Sequence, residues 1–201
     1  MRGYALLVVV VALCGVTALG CAKHKEAAAG PGVSVSESQG ENSASRAITA
    51  TATVEDVDLK AREVTLRTAD GEIKRIHAGD EVRNLPQVRK GDVVTVTYYE
   101  SIALALRDAT GEKPSVTVTQ DMERAPLGAK PSGSVTQTTT LKAKVTAVDK
   151  KKQTVTLEGP KGGSVTIKVE DPKKLDTVVV GHIVEAVYRE AMVVSVDKPT
   201  K

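Results

Sequence analysis

The sequence predicts an all-β fold built as two tandem copies of a small five-stranded barrel. Three observations carry this. Val and Thr are abundant while Trp and Phe are absent, and β-branched residues fit the pleated surface of a sheet. Apolar and polar residues alternate with a period of two through several short stretches, the pattern of a half-buried strand. The chain also repeats itself, which divides the folded part into two equivalent modules.

The repeat can be read residue by residue. Val54-Glu-Asp-Val-Asp58 matches Val145-Thr-Ala-Val-Asp149, and each is followed by a polar turn and Val-Thr-Leu (Val64–Leu66, Val155–Leu157). Leu85, Val88, Gly91, Val94, Tyr98 and Glu100 recur 90 residues later as Leu175, Val178, Gly181, Val184, Tyr188 and Glu190. Copies are therefore expected at 48–107 and 141–198, joined by a linking segment at 108–140.

Within the first copy, Ile48, Ala50, Ala52 and Val54 alternate with threonines as one strand. The step from Val54 to Val57 breaks that parity and predicts a β-bulge near Glu55-Asp56; Val145 to Val148 repeats it. Val64 and Leu66 mark a second strand, and Ile73 with Ile76 a third beyond an Asp70-Gly71 turn. An irregular or one-turn helical piece around Leu85 to Val88 leads into strands at Val93–Tyr99 and Ile102–Leu106. Five short strands with an early bulge and a small crossover suit a partly closed, OB-like barrel. One copy of about 60 residues is marginal as an independent core, so either the two pack together or the linking segment covers an open face. The linking segment is punctuated by Gly111, Pro114, Pro126, Gly128, Pro131 and Gly133 and reads mostly as loop, with an edge strand at Val116–Val118 and a helical turn at Gln120–Arg124.

Ahead of the first copy, Arg2, the apolar run Ala5–Leu13 and the small residues after it have the order of an export signal. The uninterrupted apolar stretch is shorter than the roughly 20 residues that span a bilayer. Ala18-Leu19-Gly20-Cys21 resembles the lipobox of bacterial lipoproteins. That resemblance implies cleavage of residues 1–20 and lipidation of Cys21, with Ala18 standing where leucine is usual. Cys14 is a poorer candidate because bulky Leu13 precedes it. An ordinary cleaved signal that leaves Cys21 free is the alternative. Segment 21–47 is rich in Ala, Gly, Ser, Glu and Gln and reads as a disordered spacer holding the modules off the membrane.

Composition narrows the function. Formal net charge is +3, too close to balance for a nucleic-acid footprint. Four tyrosines are the only aromatic residues, and Tyr4 lies in the leader, so the rest make a poor stacking platform for bases or sugars. The two cysteines leave no disulfide in a lipidated chain, because Cys14 departs with the leader.

The pattern Val-x-x-Val-Asp followed by Val-Thr-Leu, and later Gly-Asp-x-Val-x-Val-x-Tyr, resembles an uncharacterised group of exported bacterial proteins with OB-like barrels. The resemblance brings no activity. Val54–Leu66 also looks like the opening hairpin of small periplasmic copper-binding barrels, but the His, Met and Trp that bind copper there are missing here.

Few residues remain as candidates for chemistry. His24, His77 and His182 are scattered and lack ligand-spaced neighbours. Tyr98-x-Glu100 and Tyr188-x-Glu190 are the polar features kept in both copies, and residues two apart on a strand share a face. They form either a repeated ligand pocket or module interface, or core-edge tyrosines with satisfied hydroxyls. Lys150-Lys151-Lys152 reads as a solvated turn. No catalytic residue, cofactor or metal site is expected, and no nucleic-acid partner. The sequence thus points to a non-enzymatic envelope lipoprotein, held through Cys21, that binds or scaffolds another envelope protein; Ala22 after the cysteine, where Asp would signal inner-membrane retention, implies by resemblance to Gram-negative sorting signals the outer membrane facing the periplasm. The alternative is a periplasmic small-ligand or metal-binding module.

Overall fold

A computed structural model describes residues 25–27, 32–108 and 111–199. The leader 1–20, Cys21 and His24 lie outside the described residues.

The chain is all-β. Eleven strands join one continuous antiparallel sheet: β1 Lys25–Ala27, β2 Val33–Gly40, β3 Ser43–Asp58, β4 Glu63–Thr68, β5 Ile73–His77, β6 Val93–Arg107, β7 Ser115–Arg124, β8 Ser132–Asp149, β9 Thr154–Glu158, β10 Ser164–Lys168 and β11 Ile183–Asp197. Its middle is formed by the long strands β3, β6, β11 and β8, in that spatial order. The N-terminal half of β3 pairs with β2 and its C-terminal half with β4; β8 is shared in the same way between β7 and β9.

The expected bulges are present. The β3–β4 register shifts between Val54 and Asp56, and the β8–β9 register between Val145 and Ala147. An extra residue on one strand strengthens the local twist and bends it, so β4–β5 and β9–β10 turn away from the main sheet. The one-turn pieces are also where the sequence places them, as 3-10 turns at Leu85–Gln87 and Pro172–Asp176. Leu85 is 2 % exposed and Leu175 1 %. Each plugs the small core of its repeat, against Val54 and Leu66 in the first and Val145 and Leu157 in the second. Gly91 and Gly181 follow at φ +89° and +101°, a backbone conformation that L side chains rarely adopt.

Several expectations are corrected. The repeats do not close into five-stranded barrels: β5 pairs with β4 alone and β10 with β9 alone, so each repeat is an open curl. The two copies share one sheet, in line with the expectation that they pack together. All fifteen residues of β11 pair with β6, and Val196 of the second repeat lies in the core of the first. The strands expected at 93–99 and 102–106 are one, β6.

Much of the spacer and of the linking segment is also strand. In the spacer, Val33 and Val35 alternate with serines and meet Ala50 and Ile48 across the β2–β3 ladder. In the link, the expected helical turn Gln120–Arg124 is the end of β7, because β8 supplies a ladder for its full length. Cross-strand pairing outweighs the weak helical preference of those residues. In register, Val33 and Val35 on β2 correspond to Val116 and Val118 on β7. Each repeat therefore begins one strand earlier than its sequence identity suggests.

The hairpin turns tie the repeats together reciprocally. Asn84 Nδ2 of the first repeat donates to the Pro126 carbonyl in the β7–β8 turn at 2.7 Å. The equivalent Lys174 donates to the Glu41 carbonyl and to Asn42 Oδ1 in the β2–β3 turn at 3.1 and 2.9 Å.

Candidate functional site

Glu100 and Glu190 face each other directly across the β6–β11 ladder. They also occupy equivalent positions in the two repeats, so a local two-fold axis normal to the sheet passes between them. Parity in the ladders places Tyr98, Glu100, Tyr188 and Glu190 on one face at this axis. The four sequence-predicted residues thus form one cluster rather than two repeated pockets.

The cluster is asymmetric. Tyr98 Oη donates to Glu190 Oε1 at 3.0 Å and Tyr188 Oη donates to the same oxygen at 3.1 Å. Glu100 receives only a long contact from Tyr98, at 3.4 Å. Flanking strands break the symmetry further. Arg46 and Ile48 on β3 stand opposite Glu100 and Tyr98, whereas Gln137 and Thr139 on β8 stand opposite Glu190 and Tyr188. Segment 108–140 therefore does border the cluster, as strand rather than loop. Arg46 itself lies 3.6 Å from Glu37.

Burial pushes both phenols above their ordinary range, and donation to the charged Glu190 pushes them further. A phenol held this way stays protonated at neutral pH and works as a hydrogen-bond donor, not a nucleophile. The arrangement can bind and orient. Among the described residues no group of three or more His, Cys, Asp or Glu could hold a metal ion. Two open hollows of about 260 Å³ each lie elsewhere, one bordered by Ser38, Ser45, Tyr99 and Ser101, the other by Leu59, Val88, Arg89 and Lys90.

The histidines stand apart from the cluster. His77 is the exposed last residue of β5. His182 precedes β11, with Nδ1 buried and lacking a hydrogen-bond partner and Nε2 3.6 Å from Asp108. Its counterpart in the first repeat is Asp92, 3 % exposed, which pairs with Lys130 from the β7–β8 turn and accepts from the Arg89 N–H at 2.7 Å. Burial pushes the Asp92 carboxyl up, but Lys130 and that N–H together hold it below its usual range. Sequence reasoning missed Asn84, Asp92 and Lys130. The one available signal was position: Asn84 and Asp92 flank the Leu85–Gly91 stretch that the repeat preserves. Lys150 reaches Asp176 at 2.9 Å from a solvated turn.

The larger feature is the face around the cluster. Leu104, Leu106, Val116, Val118, Met122 and Met192 are each between 39 and 58 % exposed, and the ladder registers put all six on the cluster's side of the sheet. Serines and threonines dominate the other side, among them Thr49, Thr97, Thr117 and Thr138.

Comparison with known protein families, with characterised proteins and with solved structures finds no match.

Proposed function

We propose that this chain is a lipoprotein of the bacterial cell envelope, anchored through Cys21, whose double-repeat sheet binds or scaffolds another envelope protein without catalysis. The observation that carries the reading is the apolar side of the sheet, open from β7 to β6 and centred on the two carboxylates. Contiguous exposed apolar surface of this kind marks interaction sites, and an antiparallel sheet usually covers one face. The export signal and lipobox supply the address. Charge balance and the scarcity of aromatic residues argue for protein over nucleic acid or sugar.

The test is affinity capture from envelope extracts using the full chain and a Cys21→Ala control. A reproducible protein partner, lost when Met192→Glu or Leu104→Glu interrupts the apolar face, is expected. Recovery of nothing above the control would overturn the proposal. The anchor is read separately by intact mass of membrane-extracted chain, where loss of residues 1–20 and a lipid on Cys21 are expected.

A further inference from the structure

The two ends of the sheet beside β3 and β8 are treated differently. In the first repeat, the outer side of β2 is covered by β1, with Ala27 opposite Val35 and Lys25 opposite Glu37. In the second repeat the corresponding strand is β7, and Val118 and Gln120 correspond to Val35 and Glu37. Among the described residues, no strand pairs with the outer side of β7.

Which backbone groups lie on that side follows from the hairpin. The Ala125 N–H bonds to the Ser132 carbonyl at 2.8 Å, so odd-numbered residues of β7 turn their N–H and C=O toward β8. Antiparallel ladders alternate. Val116, Val118, Gln120, Met122 and Arg124 therefore present theirs outward.

Protein edges that must stay free are usually short, charged, proline-bearing or bulged. β5 and β10 fit that description, five residues each and bearing Lys74, Arg75 and Lys168. β7 fits it less well. It runs ten residues without Pro, its register with β8 is unbroken, and its charges, Asp121, Glu123 and Arg124, lie only among its last four residues.

We propose that β7 is a homodimerisation edge, pairing antiparallel with β7 of a second copy so that Gln120 of one faces Gln120 of the other. Only pairings of outward residue with outward residue are open to it, and this one keeps the apolar sides of both copies on one side. Val118 then meets Met122, while Asp121 and Glu123 meet the hydroxyls of Thr119 and Thr117. No like charges stand directly opposite, the condition under which cross-strand pairs stabilise. The neighbouring register, centred on Thr119, sets Val118 against the Gln120 amide instead. A register centred on Asp121 opposes two carboxylates. The resulting two-fold axis is normal to the sheet, like the one between Glu100 and Glu190, and closed two-fold pairs are the commonest assembly. This goes beyond the envelope-scaffold reading and does not depend on it.

The test uses the full chain in membranes and in detergent. Residues paired across a hydrogen-bonded site lie about 5.5 Å apart between Cα atoms, within the roughly 4.4–6.8 Å that a disulfide bridges. Gln120→Cys should give a covalent dimer on oxidation, Val116→Cys far less, and the parent chain with its own cysteines sets the background. Val118→Pro removes an outward N–H that β8 does not use, so it should abolish the dimer and leave thermal unfolding of the monomer nearly unchanged. Should that variant misfold, Val118→Lys serves the same end. Dimer no greater than background from Gln120→Cys, or less than from Thr119→Cys, would overturn the proposal, as would a dimer that survives both substitutions at Val118.

Discussion

The Tyr98 hydroxyl, carried by the first repeat, donates to Glu190 of the second at 3.0 Å, beside the 3.1 Å bond from Tyr188 to the same oxygen. One carboxylate therefore satisfies two part-buried phenols, and its repeat partner Glu100 satisfies neither at short range. Glu190→Ala should cost about 1–2 kcal/mol of stability, the net scale for losing the two hydrogen bonds it accepts. Glu100→Ala should cost distinctly less. Denaturant midpoints of the two variants check this; equal losses would mean the two carboxylates share the phenols evenly.

The same bonds make the fold sensitive to alkali. Both phenols have folded-state pKa values above the ordinary value near 10. An acid whose pKa rises on folding holds its proton more tightly in the native state, so its contribution is complete below the unfolded pKa and lost as pH rises through the folded one. Stability should be flat in pH up to about 10 and fall above it. Tyr188→Phe should flatten that fall. Phenolate absorbance recorded together with unfolding tests it, since ionisation of both tyrosines near pH 10 with the fold intact would contradict the assignment.

Part of this was legible in the sequence and part was not, for physical reasons. The bulges at Val54 and Val145 and the plugs at Leu85 and Leu175 leave direct traces, a parity break and isolated apolar residues before a glycine. Tyr98, Glu100, Tyr188 and Glu190 were legible as a set because both copies keep them. That they meet depends on the β6–β11 ladder, a pairing between residues about 90 apart, which no local pattern encodes. The strand β2 was hidden by averaging, and of β7 only the edge strand at Val116–Val118 showed in the sequence. Val33 and Val35 are two apolar residues in a polar, Gly-rich stretch, and they become a strand because Ile48 and Ala50 lie opposite. Barrel closure was expected from strand count, but count cannot tell whether the last strand returns to the first or runs on into another repeat.

Asp92 gives an acid-side prediction. Lys130 and the Arg89 N–H hold its carboxyl below the usual range against the opposing effect of burial. A carboxyl depressed on folding contributes stability that is present above its unfolded pKa, about 3.9, and lost as pH falls through the folded value. The wild-type chain should therefore lose stability on acidification below pH about 4, and Asp92→Asn should show a shallower decline there. At neutral pH the variant should be less stable, because Lys130, 26 % exposed, loses its counter-charge. Since Lys130 belongs to the β7–β8 turn, amide exchange at 125–131 should speed up in the same variant. Unchanged exchange there would mean that Asn84 and Pro126 alone hold the turn.

The continuous sheet predicts how the repeats unfold. Separate modules would melt separately, and damage to one core would move one transition. Here the full length of β11 is paired to β6, and Val196 crosses into the core around Leu85. Neither curl has a second layer of its own to survive on. Leu85→Ala and Leu175→Ala each empty a fully buried site and should cost about 2–5 kcal/mol. Both should lower the midpoint of one shared transition seen by every probe, the signature of a single cooperative unit. A double variant should then fall close to the sum of the two losses, since Leu85 and Leu175 sit in different clusters and share no core neighbour. Two resolved transitions, each answering to its own leucine, would return the repeats to the status of independent domains joined only by a ladder.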